Sequence, residues 1–150
     1  MLSLTPDSDL APLVGQSLGI GDWFIIDQAR IDAFADLTGD DQWLHTDPVR
    51  AASGPYGATI AHGFLLLALL PILASSALAF AGFSAVVNYG LDRVRFPAAA
   101  RVDSRLRDRL LLDSVDQAPS GTLLSLTHTV EVDGQDRPAC VAQQLRLLTV

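Results

Sequence analysis

The fold is decided by the stretch His62-Gly63-Phe64-Leu65-Leu66-Leu67-Ala68-Leu69-Leu70-Pro71, which opens the longest apolar part of the chain. No residue from position 51 to position 91 carries a formal charge. That length alone suits a membrane span, but proline, serine and glycine residues interrupt the run, and strand-like alternation follows almost at once. We therefore predict a helix over about 63–79 that bends or breaks at Pro71 and is buried on nearly all sides by a sheet.

On the C-terminal side of this helix, apolar residues recur with a period of two, which is typical of strands. Residues 86–96 form one such stretch, and a change of parity within it predicts a bulge near Gly90. Two more strands are predicted at 102–115 and 124–132, and the chain closes with a strand over 139–150.

On the N-terminal side, residues 15–27 predict a first strand, and Asp27 is placed to cap a helix that runs through Leu37 and ends at a left-handed Gly39. Residues 2–14 predict a loose or short helical lead-in. Residues 40–59 predict a long loop of the kind that usually carries function.

The resulting order is strand, helix, loop, helix and four strands. It predicts an α+β fold in which one long helix is wrapped by an antiparallel sheet. With 150 residues, the chain is expected to form a single domain, residues 1–150.

The composition narrows the class of protein. Hydrophobic residues make up 49% of the chain and charged residues 18%, so a small monomer would not easily hide the apolar surface and a homo-oligomer is predicted. The net charge of −7 argues against nucleic acid as a partner, because no basic excess is present to displace counterions.

Scarce residue types exclude several kinds of chemistry. All ten cationic side chains are arginine, which excludes a lysine Schiff base, pyridoxal phosphate held on lysine and a P-loop. Three histidines and one cysteine are too few to indicate a metal site. The single cysteine, Cys140, and the absence of a basic signal region at the start favour a reducing, cytoplasmic location.

A carboxylate and an imidazole, Asp40 and His45, stand five residues apart where the first helical pattern ends. Gly63 opens the apolar helix, where backbone N–H groups are unpaired and the helix dipole is positive. An acid, a base and such N–H groups are the parts needed to activate water against a substrate conjugated to a carbonyl group. The pattern predicts a hydratase site and leaves open which side chain is the base.

The stretch 34–73 resembles the MaoC-like dehydratase family, in particular its (R)-specific enoyl-CoA hydratases. The likeness lies in Gly39-Asp40-Asp41-Gln42-Trp43-Leu44-His45 followed by Ile60-Ala61-His62-Gly63-Phe64, with further similarity in 88–97 and 137–142. Where the family usually has Asn-Pro, this chain has Gln42-Trp43. We expect this difference to change the substrate preference more than the class of reaction.

The resemblance implies a hotdog fold, a homodimer whose sheets join edge to edge, and a role in fatty acid metabolism. The implied reaction is hydration of trans-2-enoyl-CoA to (3R)-hydroxyacyl-CoA and the reverse dehydration. Asp40 and His45 would hold the attacking water, and the Gly63 amide would stabilise the enolate oxygen. No cofactor is expected, since coenzyme A is part of the substrate, and an acyl-carrier-protein thioester is an alternative substrate.

Substrate contacts are expected from Gln42, Tyr56, Gly57, His62, Phe64 and Arg93. For His62 the alternative is a structural role at the start of the helix. Of the six arginines at positions 93–109, Arg93 or Arg95 is the candidate for the phosphates of coenzyme A. The others are expected on a solvated sheet face, paired with Asp92, Asp103, Asp108 and Asp113. His128 is expected in a core or interface, and Cys140 as an inert buried thiol.

Two other functions stay open. A hotdog thioesterase would direct water to C1 of the thioester, although a histidine five residues after the aspartate disfavours it. A non-catalytic subunit of a heteromeric dehydratase is expected to lack one of the two residues, and this chain has both.

Overall fold

A long antiparallel sheet packs against short helices in the computed structural model, which describes residues 1–150. The strands are β1 Leu2–Leu4, β2 Ser17–Ile20, β3 Phe24–Ile26, β4 Leu78–Phe80, β5 Ala85–Arg95, β6 Ser104–Ala118, β7 Gly121–Val132 and β8 Cys140–Thr149. The helices are α1 Gln28–Thr38, α2 Trp43–Thr46, α3 Pro48–Ala52, α4 Gly63–Ala68 and α5 Leu70–Ala74. The predicted α+β class is confirmed.

Strands β2 and β3 both pair with β6, and the sheet continues through β7 and β8 to β5 at its far edge. The predicted first strand is thus two short strands, separated at Gly21. A side chain at Gly21 would overlap the carbonyl oxygen of Leu73, because the chain passes very close to the end of α5 here. In β5 the register shifts between Asn88 and Gly90, which confirms the predicted bulge.

The predicted helix over 63–79 is shorter than expected. It consists of α4 and α5 with Leu69 between them, and it ends at Ala74. Pro71 has no N–H to donate to the carbonyl of Leu67, so the helical ladder is interrupted there. Beyond Ala74, β4 instead pairs in parallel with β1. The predicted N-terminal lead-in therefore contains a strand, and its predicted short helical part is the 3-10 helix Ala11–Leu13. The longest helix, α1, has 11 residues, and none of the helices combines the length and apolar character needed to cross a membrane.

The core face of the sheet carries two apolar clusters. Along β6 they are represented by Leu106 and by Leu110, with Asp108 between them. Asp108 is fully buried and its Oδ2 accepts a 2.5 Å hydrogen bond from Nδ1 of His128 on β7. The expectation that Asp108 pairs with a surface arginine is therefore wrong, because strand alternation places it on the same face as its leucine neighbours.

The outer face of β6 carries the arginines, as expected, but their partners differ from those predicted. Arg105 pairs with Asp133, and Arg107 and Arg109 both pair with Glu131 across the strands. Burial raises the pKa of Glu131, but hydrogen bonds from the two guanidinium groups outweigh it and leave that pKa below its usual value.

Cys140 begins β8 and is fully buried beneath the helices, as the sequence predicts. Burial, with a smaller contribution from the negative charge of Asp108, raises the pKa of its thiol to about 12. At that pKa little thiolate exists near neutral pH. Because the thiolate is the nucleophilic form, the thiol of Cys140 should be unreactive.

Candidate active site

The turn after α1 presents Asp40. The Asp27 side chain caps this helix by accepting from the Arg30 N–H at 2.9 Å, and Gly39 ends it with φ of +76°, which a glycine adopts at no steric cost. Both features confirm the sequence prediction. Asp40 itself is exposed, and its N–H is 3.4 Å from the Thr38 hydroxyl.

His45 lies in the single turn of α2 and is buried, with 9% of its surface exposed. Its Nδ1 is 2.7 Å from the carbonyl oxygen of Ile60. A carbonyl oxygen only accepts, so Nδ1 carries the hydrogen and Nε2 of the neutral ring holds a lone pair. Nε2 has no hydrogen-bond partner in the protein and is not buried away from solvent. The Gln28 side chain also donates to the backbone carbonyl of His45, at 2.7 Å.

Asp40, His45 and His62 meet at one place, although 22 residues separate the first from the last. Each offers one polar side-chain atom, and these atoms lie within 4.8 Å of one another. The rings of His45 and His62 stack with centroids 3.7 Å apart and planes 25° apart. An ion in the plane of one stacked ring lies well outside the plane of the other, so this set suits hydrogen bonding better than ligation at the roughly 2.1 Å zinc requires.

A cleft of about 520 Å³ opens beside His45. Gly63 lies on its wall, and the Gly63 N–H has no acceptor in the protein. The remaining lining is mostly apolar and consists of Leu44, Tyr56, Ile60, Ala61, Leu66, Phe96, Pro97, Ala98, Ala99, Ala100 and Arg137. The cleft therefore joins an available imidazole nitrogen and an available backbone donor within apolar walls.

The predicted site residues are distributed unequally around this cleft. His45, Tyr56 and Gly63 line it, and Asp40 and His62 adjoin it through His45. Four others are exposed and lie outside its lining: Gln42, Gly57, Phe64 and Arg93. Phe64 instead lines a neighbouring cavity with Leu91 and Gln144. Their contact with substrate stays a prediction.

Sequence reasoning did not single out Arg137 and Phe96, which the structure places on the cleft. Arg137 lies in the connection between β7 and β8 and has no carboxylate partner, unlike the arginines of β6. Phe96 follows β5. Both lie in segments that carry the family resemblance, at 88–97 and 137–142, but a period-two pattern does not indicate which strand ends share a cleft.

Replacing Gly63 by Ala should lower turnover strongly. The added Cβ would lie 2.9 Å from two atoms of the Phe96 ring, so the ring or the helix start must move. A misplaced backbone donor of this kind costs about 10²-fold in kcat. Steady-state kinetics of the variant checks this. Gly90→Ala is the matched control, since its nearest neighbour is a Leu145 methyl at 4.0 Å and its activity should stay close to wild type.

Comparison with protein families gives a match to the MaoC like domain over residues 9–132. This chain belongs to the MaoC-like dehydratase family. The MaoC-like chain is 48% identical over 139 residues to 3-hydroxyacyl-thioester dehydratase Z of Mycobacterium tuberculosis, with 92% of each protein covered.

Among solved structures, the MaoC-like fold matches the (R)-hydratase of A. caviae involved in PHA biosynthesis, with a TM-score of 0.72 and 23% identity over 90% of this chain and 96% of that one. It also matches the ChsH1–ChsH2 complex of M. tuberculosis, with a TM-score of 0.70 and 15% identity over 90% of this chain and 97% of that one. These likenesses confirm the predicted hotdog fold.

Proposed function

We propose that this protein adds water to trans-2-enoyl-CoA to give (3R)-hydroxyacyl-CoA and catalyses the reverse dehydration. One observation carries the proposal: a single cleft holds an imidazole nitrogen free to accept a proton and an unpaired backbone N–H, those of His45 and Gly63. The name of the mycobacterial relative, a dehydratase of 3-hydroxyacyl thioesters, supports the same reaction class.

In this scheme a water molecule donates its hydrogens to the Asp40 carboxylate and to Nε2 of His45, which directs its lone pair at C3. The C–O bond forms as one proton passes to this dyad and the π electrons move toward the thioester oxygen. The Gly63 N–H stabilises that oxygen. A proton from the dyad then reaches C2, so the product gains one water in total and no cofactor takes part.

The exposed edge of the sheet supports a homodimer. β5 pairs with β8 on one side only, and it exposes Val87, Tyr89 and Leu91 by 44%, 63% and 43%. A long apolar edge strand is prone to uncontrolled pairing unless another chain covers it. We expect light scattering to give twice the 16.0 kDa chain mass. A monomer that gains activity only with a second, different chain would favour a heteromeric dehydratase.

The lining of the cleft also supports a proposal for how the thioester carrier is held. Arg137 would contact a phosphate of coenzyme A or of a carrier protein's phosphopantetheine, since it is the cation that lines the cleft. The lone buried thiol fits a reducing location, and we place the protein in the cytoplasm.

Replacing Arg137 by Gln should raise KM for crotonyl-CoA about 10-fold with little change in kcat, because a binding contact present throughout the reaction is lost. Crotonyl-pantetheine, which lacks the phosphates, should show no such change. Arg93→Gln is the comparison, because Arg93 is exposed on β5 outside the cleft. A larger effect at Arg93 would restore the sequence-based assignment and contradict ours.

The decisive test of the reaction follows the enoyl-thioester absorbance of crotonyl-CoA and of a medium-chain enoyl-CoA. We expect loss of absorbance and a product that chiral analysis identifies as the 3R alcohol. Release of free thiol without a hydroxyacyl product would support the thioesterase alternative. An unchanged absorbance with both substrates would contradict hydration of coenzyme A thioesters, and acyl-carrier-protein thioesters would then be assayed.

A further inference from the structure

His62 is buried beside both residues of the proposed dyad and contacts the backbone of Asp40 and the ring of His45. Its Nε2 lies 2.8 Å from the backbone carbonyl oxygen of Asp40, and its ring stacks on His45. Phe34 packs against the ring with centroids 5.1 Å apart, and only 1% of the surface of His62 is exposed. One buried ring thus touches both the turn that carries Asp40 and the imidazole of His45.

The hydrogen-bond pattern of this ring fixes its tautomer. The carbonyl oxygen of Asp40 only accepts, so Nε2 of His62 carries the hydrogen. Nδ1 on the other side of the ring is then an acceptor, and it is buried without any partner. An unpaired buried acceptor destabilises the folded state, whereas an apolar ring of similar shape would fill the same space without that cost. Packing alone therefore does not explain a histidine at this position.

The N–H of His62 holds the backbone of Asp40. Asp40 is an exposed residue in the turn after α1, and its only other close hydrogen bond is the 3.4 Å contact of its N–H with Thr38. The Thr46 hydroxyl holds the next residue by donating to the carbonyl oxygen of Asp41 at 2.9 Å, but at Asp40 itself only the N–H of His62 makes a short hydrogen bond. Because His62 contacts both residues of the dyad, it fixes the backbone of Asp40, and so the base of its side chain, relative to the ring of His45.

We propose that His62 is a positioning residue that sets the distance between Asp40 and His45 through its Nε2–H and its ring face. This role rests on the proposed hydratase function, since it matters where one water must contact both side chains. It goes beyond a structural role at the start of α4, because it assigns the Nε2–H to catalysis through Asp40.

Two variants separate the N–H from the ring. His62→Phe keeps a ring for stacking but removes the donor, and His62→Gln keeps an N–H near the place of Nε2 but removes the ring. For His62→Phe we expect kcat to fall about 10- to 100-fold, KM for crotonyl-CoA to change little, and the melting temperature to equal or exceed that of wild type. For His62→Gln we expect most of kcat to remain while the melting temperature falls. A His62→Phe protein with wild-type kcat would show that the ring only packs.

A measurement that needs no turnover keeps this proposal separate from the reaction itself. In the unliganded protein, ring ¹⁵N shifts should show the Nε2–H tautomer for His62 and the Nδ1–H tautomer for His45. The backbone amide signals of Asp40 and Asp41 should shift more in His62→Phe than in His62→Gln, because only His62→Phe loses the hydrogen bond to the Asp40 carbonyl, whereas both variants change the ring beside it. If these signals behave as expected and wild type shows no hydration, the proposed function fails and the positioning role stands. Unmoved Asp40 signals in His62→Phe would overturn the positioning role even in an active enzyme.

Discussion

Asp40→Asn and His45→Gln should each lower kcat for hydration of crotonyl-CoA by about 10²- to 10⁴-fold, the usual contribution of a proton-transfer group. Asp40→Asn keeps the size of the side chain, whereas His45→Gln loses the ring that stacks on His62 and should lower the melting temperature. Both positions lie outside the large apolar clusters, so both variants should still fold. The double variant should lose less activity than the product of the two single losses in kcat, since the two residues act on one water molecule.

Asp41→Asn is the matched control for this result. Asp41 is the next residue and is also an exposed carboxylate, but it is not part of the group formed by Asp40, His45 and His62. Its replacement should leave kcat near wild type. Equal losses at Asp40 and Asp41 would point to the charge of the turn in general. Full turnover in both Asp40→Asn and His45→Gln would remove the assignment of the dyad.

Asp108→Ala should cost about 3 kcal/mol or more in the free energy of unfolding. Asp108 and His128 are both fully buried, and removing the carboxylate leaves the Nδ1–H of His128 without an acceptor in the core. It also opens a small cavity between the two apolar clusters. Urea unfolding monitored by circular dichroism gives the change directly.

Two comparisons sharpen this test. Replacing both Asp108 and His128 by Leu should cost less than Asp108→Ala, because no buried donor then lacks a partner. Asp133→Ala removes an exposed partner of Arg105, where 44% of the aspartate side chain is accessible, and should cost less than about 1 kcal/mol. If Asp108→Ala were no more harmful than Asp133→Ala, the buried pair would not contribute as we infer.

Local patterns predicted much of this fold because the relevant physics is local. Asp27 as an N-cap, Gly39 as a left-handed helix end and the bulge near Gly90 all follow from the chemistry of a few neighbouring residues. Local patterns did not predict where the apolar helix ends. The chain leaves the helix to form β4, which pairs with β1, a strand more than 70 residues away in the sequence.

The candidate site was predictable to the extent that a family motif records it. The spacing of Asp40, His45 and Gly63 predicted the chemistry that we propose, but not that the ring of His62 would stack on His45. Nor did it indicate Arg137, which reaches the cleft only because the β7–β8 turn ends beside it. Contacts between distant segments depend on packing, and one sequence does not record them.

The buried pair of Asp108 and His128 also affects how the strands align with one another. Sliding one strand by two residues along its neighbour would keep every apolar side chain on the core face, so burial alone does not oppose such an error. If β7 slid in this way, Nδ1 of His128 would leave Oδ2 of Asp108, which is now 2.5 Å away. Nε2 of His128 would also leave Oε1 of Gln144 on β8, which is now 3.1 Å away. Asp108 and His128 would then be buried without these partners, whereas Gln144 would keep its hydrogen bonds with Asn88 and Arg146. We infer that this row of hydrogen bonds selects one alignment among several that the leucines alone would accept.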